Sequence, residues 1–345
     1  MFDRGNTAIA AAVRVGVAIG VVLVVGGLLG YRDVVGFAAL GALTSAFCRA
    51  DPYRMRLPRL VVTGSTVVVY VAFGAILGAT GASLSVQVVA MSLAAGFAAL
   101  WLAALRVVGP GAVVMIFAAA GAAGFAHNVD DVRRLMAAAA IGAAVGIVAS
   151  LTPWVSEAIR GGGHRVAERV ELLTELRSLA DRDLLIRSAR IVVACAVAAG
   201  VAAALGLAHP MWAAMGALAS LQGVTYHLTV RRGVQRLLGN VGGAAIAIGL
   251  LALPIGYWGA VALIVILQIA AETLVTANYA LCSLAITPMA LLLTALGAGL
   301  SPEVAFDRVA DTALGVVCGV VIAALTIARH ETDGVSVPAN TIRTS

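Results

Sequence analysis

The stretch 209–243, HPMWAAMGALASLQGVTYHLTVRRGVQRLLGNVGG, most restricts what this chain can fold into. An apolar run opens at His209-Pro210-Met211-Trp212. A basic turn carries Arg231, Arg232 and Arg236, and a second apolar run follows at once. A soluble core has little use for long uncharged runs joined by arginines. A bilayer does: apolar spans with cationic ends on the cytoplasmic side read as a helical membrane hairpin. The rest of the chain agrees. Of 345 residues, 61% are apolar and 12% charged, and the mean hydropathy is +1.02. Such values belong to a polytopic membrane protein rather than a globular enzyme.

The same stretch has a partner earlier in the chain. FAALGALTS (37–45) aligns with WAAMGALAS (212–220) without a gap. Upstream of each lies an apolar run with one arginine near its start, Arg14 in VRVGVAIG and Arg190 in ARIVVACA. Downstream, Arg59-Leu60 matches Arg236-Leu237. Near each half's end, IGAAVGIVASLT (141–152) matches LGVVCGVVIAALT (314–326) with a single-residue gap. Four matched blocks in one order point to a duplication. The expected fold is therefore all-α: a polytopic membrane bundle of two fused six-span repeats, about 12 transmembrane helices in all.

Spans are expected at 8–29, 34–47, 60–77, 86–105, 112–125 and 135–154, and again at 191–207, 211–224, 237–253, 260–271, 278–296 and 312–327. Several are shorter than the ~20 residues a perpendicular helix needs. Such helices either continue through their polar ends or insert only partly. The first span is expected to persist rather than be cleaved, because it is long and embedded in the repeat. The domains are then 1–155, a first transmembrane repeat; 156–185, a cytoplasmic amphipathic linker helix; 186–329, a second repeat; and 330–345, a polar tail expected to be disordered. In the linker, Val166, Val170, Leu173, Leu176 and Leu179 fall roughly on one helical face.

Arginine placement sets the orientation. With a cytoplasmic amino terminus, the inside segments hold Arg4, Arg49, Arg54, Arg56, Arg59, Arg106, the linker, Arg231, Arg232 and Arg236. The outside turns hold only Arg32, Arg133, Arg134 and Arg308, each next to or near an aspartate. This bias places both termini in the cytoplasm. An even number of spans per half makes the repeats parallel, related by a pseudo-two-fold axis along the membrane normal.

All 23 basic residues are arginine, and they are spread over several turns, so the net charge of +6 does not point to nucleic acid. Cys48, Cys195, Cys282 and Cys318 are isolated and read as small core residues. With no lysine there is no phosphate-binding loop of the P-loop kind. The sequence presents no serine-histidine-acid set and no metal-ligand cluster, so no enzyme and no cofactor are expected.

HPMW, the basic turn RRGVQRLLGNVGG and ETLVTANYALCSLAITPMALLL (272–293) resemble the fusaric-acid-resistance and aromatic-acid-exporter superfamily of integral membrane transporters. The repeat of that family starts His-Pro-aromatic-Trp, enters a helix through Arg-x-x-Gly-Thr-x-x-Gly and carries an Asn-Tyr-Ala…Thr-Pro span. Here Met211 stands where an aromatic is usual and Asn240 where a threonine is usual. The first half keeps less of the pattern: Arg32-Asp33 stands in place of His-Pro, and Phe37 in place of Trp. The resemblance implies an inner-membrane exporter of small organic acids, often aromatic carboxylates. The plant malate-channel family is similar in its six-span unit. Two alternatives stay open, a passive anion channel and a non-transporting membrane subunit of an envelope-building complex. The partners expected are the organic anion and the bilayer, with a homo-oligomer or an accessory protein left open.

Several residues are candidates for chemistry. Arg14 and Arg190, symmetry mates near the start of each half's first span, are expected to face each other and bind a carboxylate, unless both snorkel to headgroups. Glu272 lies in a long apolar stretch and is the candidate proton-coupling residue; the alternative is a helix end at the membrane edge. Trp212, Asn278, Tyr279 and Thr287 are candidates for an aromatic-substrate pocket, although such aromatics also pack at interfaces. Pro210 and Pro288 either break helices beside a ligand or, for Pro210, start one. His209 and His227 are expected to be solvated, and Arg308, Asp311 and Thr312 to form a local ion pair. Gly41-x-x-x-Ser45, Gly142-x-x-x-Gly146, Gly216-x-x-x-Ser220 and Gly315-x-x-x-Gly319 are expected to be packing faces.

Overall fold

The computed structural model describes residues 3–159, 175–223, 225–275, 277–298 and 303–327. Among them every regular element is helical. The first half holds α1 (Asp3–Leu28), α2 (Val35–Ala42), α3 (Tyr53–Ala79), α4 (Leu84–Ala104), α5 (Ala112–Phe125) and α6 (Val129–Ile159). The second holds α7 (Arg182–Ala204), α8 (Pro210–Leu221), α9 (Tyr226–Leu251), α10 (Gly256–Leu274), α11 (Tyr279–Ala298) and α12 (Glu303–Thr326). Helices are the natural outcome for such runs, because each satisfies its own backbone groups where no water can. Their starts are marked locally. The Thr225 hydroxyl accepts from the Leu228 amide ahead of α9, the Asp181 carboxylate accepts from the Asp183 amide ahead of α7, and Pro210 sits in the first turn of α8.

Among the described residues, nine helices are long and apolar enough to cross a membrane. Three are not: Val35–Ala46, which is α2 extended by a 3-10 turn, α5 and α8. At 1.5 Å per residue these reach only about 20 Å, against a ~30 Å hydrocarbon core. Of the roughly twelve expected spans, nine are therefore helices of spanning length among the described residues. The spans expected at 34–47, 112–125 and 211–224 are short helices held inside the bundle. Nearly every residue of α2 and α8 is buried, which explains their uniformly apolar sequence: a helix surrounded by helices has no polar face to show. Pro288 does not end α11, which runs through it.

The helix neighbours repeat. α1 packs on α2 and α6, as α7 packs on α8 and α12. α2 packs on α6, α3 on α5 and α6, and α4 on α5; the counterparts are α8 on α12, α9 on α11 and α12, and α10 on α11. Between halves, α1 lies against α10, and α7 lies against α4.

The small-residue faces are where these pairs close. A Cβ on Gly41 or Gly142 would collide with the backbone carbonyl of Ala139 or Ala38, and on Gly146 it would stand 2.5 Å from the Ala42 carbonyl. In the second half a Cβ on Gly315 would collide with the Ala213 carbonyl, on Gly216 it would lie 3.0 Å from the Thr312 carbonyl, and on Gly319 3.1 Å from the Ala217 carbonyl. The helices meet backbone to backbone, as small-residue spacing in lipid permits. The pairs α3–α5 and α9–α11 use the same device at Gly74, Gly78, Gly239 and Gly243.

Most of the linker expected over 156–185, including Val166, Val170 and Leu173, lies outside the described residues, as does the tail. The described end of the linker is anchored: Glu175 accepts from Arg59 at 2.5 Å, and Arg59 also pairs with Asp51 at 2.7 Å.

Candidate functional site

The start of α12 carries two charges into the protein interior. Arg308 is 5% exposed and Asp311 is fully buried. They are not the local ion pair expected from the sequence. Among the described residues no carboxylate lies within ion-pairing distance of Arg308. Its Nε and both Asp311 carboxylate oxygens have no hydrogen-bond partner. Instead the Arg308 guanidinium lies 4.8 Å from the centre of the Trp212 ring on α8, and 5.8 Å from that of Phe117 on α5. A desolvated cation over an aromatic face gains about 2 kcal/mol. Burying a charge without a counter-ion costs several kcal/mol more than that. Asp311, one turn along the helix, attracts Arg308 through space without bonding to it, so Arg308 Nε and the Asp311 carboxylate both keep unused hydrogen-bonding capacity.

Its rim is polar. Trp212 stacks on His209 with ring centres 4.1 Å apart and planes inclined by 13°. The His209 Nδ1 stands 3.7 Å from the Asp307 carboxylate, and both side chains are partly exposed. Burial holds the His209 imidazole below its ordinary range and Arg308 adds to this, while Asp307 opposes it. A neutral histidine therefore edges the site near neutral pH.

Along α9 and α11, which pack beside α12, the polar groups continue. The Asn240 amide on α9 donates to the Arg308 carbonyl at 3.0 Å, and the Thr287 hydroxyl on α11 donates to Asn240 Oδ1 at 2.8 Å. The Ser283 hydroxyl donates to the Arg236 carbonyl at 3.3 Å. Arg236 in turn donates to the Tyr279 hydroxyl at 3.3 Å, and the Arg232 guanidinium lies 4.4 Å from the centre of the Tyr279 ring. Arg232 also donates to Gln222 Oε1 at 3.1 Å, at the end of α8. A polar seam thus runs through the second half, from His209 and Asp307 at one end to Arg232 and Gln222 at the arginine-rich end.

Of the candidate pocket residues, Trp212, Thr287 and Tyr279 lie on this seam. Asn278 does not: it is exposed, and its side chain accepts from the Ala280 amide at 2.8 Å, capping α11. Arg14 and Arg190 are not brought together. α1 packs on α2, α6 and α10, α7 on α4, α8 and α12, and α1 and α7 are not a packed pair. Arg190 reaches the Thr326 carbonyl at 3.4 Å. Glu272 is buried, as the apolar stretch around it implies. It pairs with Arg49 of the first half at 2.9 Å and accepts from Gln268 at 2.9 Å. It ties the end of α10 to the turn after α2, and so one half to the other. The thiol of Cys48 in that turn is pushed up to about 11, chiefly by burial, and stays protonated as a core residue should. Among the described residues no group of potential ligands could hold a metal ion.

Sequence reasoning read Arg308 and Asp311 as a local ion pair rather than as a site, and it passed over Phe117. The repeat itself carries the signal. Seven residues before Gly315 stands Arg308, and seven before its mate Gly142 stands Leu135; four before them stand Asp311 and Ala138. Charges that replace apolar residues at buried, duplicated positions have no packing reason to be there.

The family model described as fusaric acid resistance protein-like matches residues 195–322. That match covers most of the second repeat, including Trp212, Asn240, Thr287, Arg308 and Asp311. No curated protein and no solved structure matches the chain.

Proposed function

We propose, on the premise that the second half is fusaric acid resistance protein-like, that this chain is a secondary transporter. It exports small organic anions, aromatic carboxylates above all, across the inner membrane, with both termini in the cytoplasm. Its two halves are parallel six-helix repeats about a pseudo-two-fold axis, a reading supported by the recurrence of the same helix neighbours in each. Transport passes along the seam of the second half. Arg308 takes the carboxylate in its planar fork. Trp212 and Phe117 hold the aromatic ring of the substrate. Thr287, Asn240 and Tyr279 supply hydrogen bonds on the way from the arginine-rich face. The observation that carries this is a buried guanidinium beside two aromatic rings, with no carboxylate within ion-pairing distance among the described residues.

Proton coupling needs a carboxyl group free to exchange. Glu272 is committed to Arg49, so the role passes to Asp311, which lies one helical turn from Arg308 and accepts from no donor. The test is flux of a panel of carboxylates in proteoliposomes after a pH jump. Asp311→Asn should abolish the dependence on the pH gradient, and Glu272→Gln should leave it. If Glu272→Gln abolishes it and Asp311→Asn does not, the assignment is wrong. A passive channel would instead show flux that follows voltage and ignores pH in every variant.

A further inference from the structure

Two of the helix crossings between halves, α1 with α10 and α7 with α4, are not equivalent, and the difference leaves a second site. Where α1 meets α10, Ile269 packs on Gly16; where α7 meets α4, Val192 packs on Gly96. Gly16 and Val192 hold the same place, each two residues after Arg14 and Arg190. Three residues beyond Ile269 is Glu272, and three beyond Gly96 is Ala99. At the first crossing a carboxylate is held by a guanidinium, Arg49, and a carboxamide, Gln268. At the second, the carboxylate is missing and a cavity of about 310 Å³ lies in its place, lined by Ala99, Arg187, Arg190 and Gln222 among others.

Two donor atoms there are unused, although Arg190 also reaches the Thr326 carbonyl at 3.4 Å. Arg232 bonds to Gln222 Oε1, which turns the amide nitrogen of Gln222 against Gly111. A side chain at that position would fill the space, and its φ of +83° suits glycine alone. Gln222 Nε2 and Arg190 Nε are buried without partners. No aspartate or glutamate is among the lining residues. A guanidinium and a carboxamide thus line one cavity, as the same two groups hold Glu272, and its volume suits a small organic acid.

We infer that this cavity is a second anion site, on the arginine-rich face and separate from Arg308, and that its ligand is a small free carboxylate. It goes beyond the transport reading and is tested by binding alone. Full-length protein carrying Arg308→Met, in phosphatidylcholine nanodiscs, is titrated calorimetrically with sodium benzoate. One saturable site should remain. Arg190→Gln should weaken it about tenfold or more. Ala99→Glu should remove it by supplying the tethered carboxylate of the sister crossing, with an unchanged or raised Tm showing that the protein is folded. In the wild-type background the titration should resolve two sites, one of them abolished by Ala99→Glu. Benzoate binding that ignores both substitutions would overturn the inference, whatever the flux assays give. So would loss of benzoate binding in phosphatidylglycerol nanodiscs, since a lipid phosphate would then be the occupant. Sodium phosphate should compete more weakly than benzoate; tighter binding of phosphate would overturn the carboxylate class.

Discussion

The two halves share a scaffold and differ in what it holds. Gly142 meets Ala38 as Gly315 meets Ala213, and the second and sixth helices of each half close on the same small residues. Around that shared contact the first half is apolar: Leu135 is fully buried, Ala138 nearly so, and Phe37 packs edge-on against Phe125. The second half places Arg308, Asp311 and Trp212 at the matching positions. Duplication gives two copies the same packing requirement. At these matched positions only the second copy takes on buried charge, which lowers stability unless a ligand or a partner answers it. The half with the charge is also the half that the family model matches.

The comparison makes a sharp separation between substitutions that test the scaffold and those that test the site. Arg308→Met keeps the volume and removes the charge. Flux should fall about 10- to 100-fold, the equivalent of a charge-assisted hydrogen bond of about 1.5–3 kcal/mol. Tm should hold or rise, because an apolar residue suits the site better than an unpaired cation. Gly142→Leu and Gly315→Leu should each destabilise the protein by about 1–3 kcal/mol through overpacking, equally in both halves, read as matched drops in Tm. A much milder effect in one half would mean that its helices can separate there. Glu272→Gln should lower Tm by a comparable or smaller amount, since Arg49 keeps some solvent; co-expressed half-chains carrying it should associate more weakly.

The smallest effect is at His209. Its folded-state affinity for protons is below the unfolded value, so the unfolded chain binds the extra proton. This stability is present above the ordinary imidazole range near 6.5 and is lost as pH falls through that value. His209→Asn should flatten the decline in Tm on acidification, and an unaltered slope would remove His209 from the account.

Much of this was legible in the residues. The hydrophobic runs gave helices at nearly the right places, and 112–125 matches α5 to the residue. The small-residue spacings gave the close helix contacts, because a backbone approach needs glycine wherever it occurs. Span length was misleading at α2 and α8, since apolar composition does not tell a lipid-facing helix from one enclosed by its neighbours. The arginine pair is a different case, since its two helices are not among the packed pairs. Arg14 and Arg190 are true mates in the alignment, yet symmetry fixes only that their surroundings correspond, not that the two sit near the axis. Glu272 was found, but its partner Arg49 is far away in sequence and only the fold brings it close.

The most direct measurement compares matched positions. Carboxylate counterflow is recorded in proteoliposomes containing wild type, Leu135→Met or Arg308→Met, with each variant's Tm taken alongside. Counterflow should stay at the wild-type rate for Leu135→Met and fall about 10- to 100-fold for Arg308→Met, with both proteins folded. Wild-type counterflow from folded Arg308→Met protein would contradict a substrate path built on that guanidinium.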